Sequence, residues 1–117
     1  MNSGVNRVLI FQGGGSLGAY ETGAYKAIKE ELSQYNRAKG IGNEPIFHII
    51  AGTSTGAMNA AILVSYVKEN KTWEGSDKRL LEFWEYLSTQ VASTIIWRRK
   101  DAVSHLYLKS NLIFIFI

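Results

Sequence analysis

The sequence predicts an α/β fold in which a parallel sheet is flanked by helices. Short apolar runs rich in β-branched and aromatic residues alternate with longer stretches whose apolar residues recur at helical spacing. Glycine-rich turns stand where the strands give way to the helices. Strand–helix–strand order implies parallel strands joined by a right-handed crossover. The chain has 117 residues, 46% of them apolar, which suffices for one domain with a core of its own.

The first half of the chain alternates strand and helix. Residues Val5–Phe11 form an apolar run that is typical of a buried strand. An amphipathic helix follows from Gly18 and ends before the breaker at Gly40–Asn43. Ile46–Ala51 predicts a second strand, and Ala57–Val67 predicts a helix rich in small residues. The apolar positions that we expect to face the core in the first helix are Tyr20, Ala24, Ala27, Ile28 and Leu32.

The second half begins with a polar loop, Lys68–Ser76, after which Asp77 is placed to cap a third helix. We expect Thr94–Trp97 to form a short strand. The segment Leu112–Ile117 consists of six consecutive apolar residues, and we expect a strand whose neighbours are missing. The core-facing stripe of the third helix is predicted at Leu80, Trp84, Leu87 and Val91.

Composition excludes several classes of function. The chain has no cysteine, which removes disulfide scaffolds, thiolate metal sites and cysteine nucleophiles. Its net charge of +3 is too small and too dispersed to indicate nucleic-acid binding.

Residues Met1–Arg7 lack the apolar core of a signal peptide, and no apolar run reaches the ~18 residues of a membrane span. We predict a cytoplasmic protein without metal or cofactor. The basic cluster Arg98–Lys100 is interpreted as solvated surface, which leaves peripheral contact with anionic lipid open. The oligomeric state is not indicated.

The first glycine-rich turn, Gln12–Gly18, lies where a strand meets a helix. Glycines at such a place let backbone N–H groups point at an anion, assisted by the positive end of the helix. Gly13, Gly15 and Gly18 also satisfy the G-x-G-x-x-G spacing of dinucleotide sites. A dinucleotide site needs an acidic residue at the end of the second strand, whereas Glu44 precedes that strand. A nucleotide-binding module and a merely structural turn remain alternatives.

The second turn, Gly52–Gly56, has the pattern Gly-x-Ser-x-Gly between a strand and a helix. A serine on so sharp a turn is held in a strained backbone conformation that presents its Oγ above the sheet. Gly52 and Gly56 remove side chains that would collide in the bend. Ser54 is therefore a candidate nucleophile, although capping the helix is the simpler role for a serine there.

The two turns are more informative together than apart. Adjacent parallel strands deliver both turns to the carboxyl edge of the sheet, where open α/β sheets place their sites. Acyl transfer requires a nucleophile and hydrogen-bond donors for the oxyanion that develops as it attacks. The first turn would supply backbone amides, and the second turn would supply the hydroxyl of Ser54.

At these residues the sequence resembles the patatin-like phospholipases. Residues 12–23 resemble the family's oxyanion segment, and residues 52–61 resemble its nucleophile elbow, including the Ala-x-Asn-Ala that follows. The resemblance implies a three-layer α/β domain that hydrolyses acyl esters of lipids through a Ser–Asp dyad, without a metal. It assigns Ser54 as the nucleophile and the amides of Gly13, Gly14 and Gly15 as the oxyanion hole.

The family's aspartate stands in an Asp-Gly-Gly or Asp-Gly-Ala motif far downstream, which this chain lacks. Its two aspartates, Asp77 and Asp101, do not precede glycine. We interpret Asp77 as a helix cap and Asp101 as a surface partner of Arg98 or Lys100. We therefore expect residues 1–117 to be an incomplete, N-terminal portion of one patatin-like domain that hydrolyses little by itself. A further alternative is a non-catalytic remnant that pairs with another chain through residues 112–117.

The histidines do not replace the missing base. His48 lies six residues before Ser54, too far along a strand to reach its hydroxyl, and is interpreted as a packed or hydrogen-bonded side chain. His105 is interpreted as structural or surface. The tryptophans are candidates for an acyl pocket, with core packing favoured for Trp84; the other two are Trp73 and Trp97.

Overall fold

The computed structural model describes residues 4–97 and 113–116. The elements follow one another as β1 (Val8–Phe11), α1 (Leu17–Ala38), β2 (Ile49–Thr53), α2 (Thr55–Asn70), α3 (Ser76–Trp97) and β3 (Ile113–Phe116).

The three strands form one sheet in the order β1-β2-β3. β1 and β2 are parallel, with Val8 opposite Ile49 and Phe11 opposite Gly52, so both strands end side by side. The α/β fold with a parallel strand pair and three helices is thus confirmed. β3 pairs with β2 in the antiparallel direction, with Ile113 opposite Thr53. The expectation that the C-terminal strand would lack a neighbour is therefore wrong, because β2 is its neighbour.

The described helices share one core on one face of the sheet. Leu9 packs against this core, whereas the alternate β1 residues Val8 and Ile10 are 50% and 71% exposed. The prediction that β1 is a buried strand therefore holds for one of its faces, since the helices cover the sheet on that side. The buried core comprises Phe11, Tyr25, Ile46, Phe47, Ile50, Ala60, Leu63 and Leu80.

The buried face of α1 differs from the predicted one. Tyr20 and Ile28, expected in the core, are 79% and 43% exposed. The helix instead buries Gly18, Thr22, Tyr25, Lys29 and Asn36, which also recur at helical spacing. Polar residues are tolerated on this face because each has a partner. The Asn36 Oδ1, for example, accepts a hydrogen bond of 2.8 Å from the Arg7 guanidinium.

Both later helices are longer than predicted. α2 begins at Thr55 and ends at Asn70, so the polar loop shortens to residues 71–75. α3 continues through Trp97, and the short strand expected over residues 94–97 is wrong. Residues 98–101 and His105 lie outside the described residues. Within the described part of the chain, no helix is both long enough and apolar enough to traverse a bilayer.

A buried polar cluster joins α1 to the start of α3. The Lys29 ammonium forms an ion pair with the Asp77 carboxylate, and both side chains are nearly buried. Beside them, the hydroxyls of Tyr25 and Ser76 share a hydrogen bond of 2.7 Å. Burial acts to raise the pKa of Asp77, but the hydrogen bond and charge of Lys29 outweigh it and lower that pKa. α3 begins at Ser76, so Asp77 lies within its first turn rather than at the predicted capping position, and it links α1 to α3.

Candidate active site

Ser54 lies at the junction of β2 and α2, in a sharp turn. Its backbone angles, φ 55° and ψ −126°, fall in a region that residues with a side chain rarely occupy. Such a conformation costs on the order of 1–3 kcal/mol and persists only where the surrounding structure enforces it. The strained serine predicted from the Gly-x-Ser-x-Gly pattern is therefore present at this position.

The two glycines around Ser54 make this turn possible. A Cβ on Gly52 would collide with the backbone of Gly56, so the turn closes on itself. A Cβ on Gly56 would lie 2.5 Å from the carbonyl oxygen of Phe11 and 2.6 Å from that of Gln12. The first turn of α2 is thus pressed against the end of β1, from which the glycine loop (residues 13–15) departs.

The glycine loop meets the serine turn directly. A Cβ on Gly13 would lie 2.9 Å from the Cβ of Ser54 and 3.1 Å from the carbonyl oxygen of Thr53. Gly14 and Gly15 follow with φ of 149° and 61°, which glycine adopts readily. The geometry brings together the two sequence motifs that were expected to share one edge of the sheet.

A hydrogen-bonded network holds both ends of the glycine loop. Asn59, fully buried in α2, donates through Nδ2 to the Gly18 carbonyl at 3.0 Å and to the Glu21 Oε2 at 3.1 Å. Its Oδ1 accepts from the Trp84 Nε1 at 2.8 Å. The Glu21 carboxylate also accepts from the backbone N–H of Gln12. The residues before and after the glycines are thus tied to the helix that carries Ser54.

Glu21 is the ionisable member of this network. Burial raises the pKa of its carboxyl, and the hydrogen bonds from Asn59 and from the Gln12 N–H offset part of that rise. Sequence analysis did not single out Glu21 or Asn59 as functional. The signal available was a polar asparagine among the small apolar residues at the start of α2.

Gly18 belongs to the site through packing. Its Cα faces the ring of Trp84, so a Cβ there would overlap the indole. Trp84 therefore contacts the first turn of α1 and the Asn59 amide, but it is only half-buried and lies outside the described hydrophobic core, in which it was predicted to pack. Trp73 packs on Phe47 with ring centroids 5.7 Å apart. The side chain of Trp97 lies outside the description.

The remaining titratable candidates lie elsewhere. The Nδ1 of His48 accepts a hydrogen bond of 3.0 Å from the Arg7 backbone N–H, just before β2, which confirms a hydrogen-bonded role. Asp77 is paired with Lys29, a residue eleven positions beyond Gly18 and hence roughly 16 Å further along α1. Among the described residues, no cluster of side chains is suited to bind a metal ion.

A cavity of about 530 Å³ opens beside the C-terminal half of α1 and the loop after α2. Its lining includes Asn36, Ile46 and Trp73 but not the serine turn or the glycine loop. Ile46 precedes the start of β2, so this cavity lies at the amino edge of the parallel strands. It is therefore separate from the candidate active site.

The family model described as patatin-like phospholipase matches residues 9–114. No curated protein and no solved structure matches the chain. The matched segment contains both glycine turns and ends within β3. The chain belongs to the patatin-like phospholipase family.

Proposed function

We propose that this chain carries the nucleophile and the oxyanion hole of an enzyme that hydrolyses acyl esters of lipids. Ser54 is the nucleophile, and the backbone amides of Gly13, Gly14 and Gly15 stabilise the oxyanion. The observation that carries the proposal is the contact of Gly13 with the strained Ser54, since it unites a hydroxyl and an amide-rich loop. Family membership supports the class of substrate.

The reaction follows from this arrangement. The Ser54 Oγ attacks the ester carbonyl and passes its proton to a general base, while negative charge develops on the carbonyl oxygen beside the glycine amides. Collapse of the tetrahedral intermediate breaks the bond to the alcohol, which leaves with a proton. Water then attacks the acyl-enzyme at the same carbonyl, releases the fatty acid and restores the hydroxyl.

The resemblance implies an aspartate as general base for Ser54. Asp77 is not placed for this role, because its carboxylate is bound to Lys29 between α1 and α3. A serine hydroxyl without an adjacent base is a weak nucleophile. Because the chain lacks the family's Asp-Gly-Gly or Asp-Gly-Ala motif, we expect residues 1–117 alone to hydrolyse esters slowly.

A fluorophosphonate probe tests the nucleophile. The probe forms a P–O bond to an activated serine as fluoride leaves, and mass spectrometry identifies the modified residue. We expect slow modification of Ser54 that is lost in Ser54→Ala and kept in Ser65→Ala, an exposed serine on α2. Equal modification of Ser54 and Ser65 would contradict the assignment.

A further inference from the structure

The Glu21–Asn59 pair lies between the nucleophile and the glycine loop. Asn59 stands on α2, the helix that begins directly after Ser54, and is fully buried. Glu21 stands on α1, the helix that begins directly after the glycine loop. The Asn59 Nδ2 donates to the Glu21 carboxylate at 3.1 Å and to the Gly18 carbonyl at 3.0 Å, so two hydrogen bonds connect α2 to α1.

The pair forms hydrogen bonds on both sides of the glycine loop. Before the glycines, the Gln12 N–H donates to Glu21; after them, the Gly18 carbonyl accepts from Asn59 at 3.0 Å. Between these points the backbone consists largely of glycine, which has little conformational preference of its own. Two anchored ends therefore determine where the Gly13–Gly15 amides lie relative to Ser54.

The hydrogen bonds of the Glu21–Asn59 pair are suited to hold the glycine loop rigidly. Every polar atom of the buried Asn59 side chain is engaged, since its Oδ1 accepts from the Trp84 indole at 2.8 Å. A fully satisfied buried network rigidifies its surroundings, whereas removal of one partner leaves an unpaired polar group. An oxyanion hole requires such rigidity, because its donors stabilise charge only when they lie within a few tenths of an ångström of the correct place.

We propose that Glu21 and Asn59 are positioning residues that fix the glycine loop against Ser54. This inference rests on the proposed function. Neither Glu21 nor Asn59 is proposed to contact the substrate. Loss of either side chain is expected to slow acyl transfer while leaving the intrinsic reactivity of the residue at position 54 unchanged.

The test uses the Ser54→Cys variant, whose thiol is the only one in the chain because the sequence has no cysteine. A thiol ionises near pH ~8.5 without a neighbouring base. Two rate constants are measured at this thiol: acylation by p-nitrophenyl butyrate, which passes through an oxyanion, and exchange with an aromatic disulfide, which does not. The ratio of acylation to exchange therefore reports on the oxyanion hole alone.

Three variants are made in the Ser54→Cys background, and each is checked for folding by urea titration. Glu21→Gln replaces one carboxylate oxygen by an NH2 donor, although both Asn59 and the Gln12 N–H donate to this side chain. Asn59→Leu removes the hydrogen bonds to Glu21 and to the Gly18 carbonyl. Each is expected to lower the ratio about tenfold. Tyr25→Phe is the matched control, because it loses a buried hydrogen bond on α1 that does not touch the loop. It should leave the ratio within about twofold.

The outcomes separate the two proposals. Ser65→Cys supplies an exposed thiol for reference, and Ser54→Cys is expected to exceed its ratio by at least about tenfold. If Ser54→Cys and Ser65→Cys have equal ratios of acylation to exchange, both the proposed function and the inference fail. If the ratio is high in Ser54→Cys and unchanged in folded Glu21→Gln and Asn59→Leu, the inference alone is overturned. Glu21 is only partly buried, so Glu21→Gln keeps the test decisive even if Asn59→Leu does not fold.

Discussion

Ser54 adopts backbone angles that favour glycine, yet the position carries a side chain. The turn is enforced from several sides, because Gly52 and Gly56 contact each other and Gly56 is pressed against the end of β1. The strained residue lies where the glycine loop contacts it, since a Cβ on Gly13 would lie 2.9 Å from the Ser54 Cβ. Retention of a strained serine is expected where the hydroxyl has a chemical role.

The strained backbone at Ser54 predicts how substitutions there change the stability of the protein. Glycine at position 54 should give a more stable protein than alanine by about 1 kcal/mol, because only glycine accepts φ 55° without cost. At ordinary, negative φ values alanine gives the more stable protein. Urea unfolding of Ser54→Gly and Ser54→Ala measures the difference. A more stable alanine variant would show that the backbone at this position is not strained.

The sequence predicted Ser54 and the glycines, because the spacing of glycines reflects local geometry that few other residues tolerate. It did not predict the roles of Glu21 and Asn59. Their contacts join residues 38 positions apart, and a polar residue on a helix gives no indication of which distant partner satisfies it.

At the scale of elements, α1 is the clearest departure from expectation. Its apolar residues predicted one core-facing side, but the helix buries the side that bears Thr22, Lys29 and Asn36. Hydrophobic periodicity assumes that polar side chains face water. Here Thr22 donates to the Gly18 carbonyl of the same helix, whereas Lys29 and Asn36 find partners outside it, in Asp77 on α3 and Arg7 before β1. Such pairings become apparent only when the fold brings the elements together.

Two glycines of α1 should respond in opposite ways to the same substitution. Gly23→Ala is expected to stabilise the protein by about 1 kcal/mol, because the site is open and alanine favours a helix. Gly18→Ala is expected to destabilise it by about 1–3 kcal/mol, because the new methyl group would displace the Trp84 ring. Thermal or urea unfolding of both variants provides the measurement. Equal effects would show that Trp84 does not pack on Gly18 as described.

At the scale of the whole molecule, the parallel order of β1 and β2 brings the two turns to one edge. This part of the architecture followed from the order of the elements in the sequence. The antiparallel direction of β3 did not, because an apolar strand carries no information on the direction of its neighbour. The helices are joined to one another by the core and by the Lys29–Asp77 pair.

The ion pair predicts how stability depends on pH. The folded-state pKa of Asp77 is lowered, so its contribution is complete above its ordinary pKa of 3.8 and is lost as pH falls through the lower folded-state value. Asp77→Asn should cost about 3 kcal/mol at pH 7, because Lys29 is left buried without its partner. The difference in unfolding free energy from the unsubstituted protein should shrink as pH falls below 3.8. A difference that stays constant as pH falls well below 3.8 would contradict the assigned pairing.

The central claim is that the glycine loop and Ser54 act on one carbonyl carbon and its oxygen. The most direct measurement is a crystal structure of the chain after prolonged reaction with a fluorophosphonate, whose phosphonyl oxygen takes the place of the oxyanion. We expect phosphorus bonded to the Ser54 Oγ and the phosphonyl oxygen about 3 Å from the amide nitrogens of Gly14 and Gly15. An adduct on Ser54 whose phosphonyl oxygen points away from these amides would contradict it.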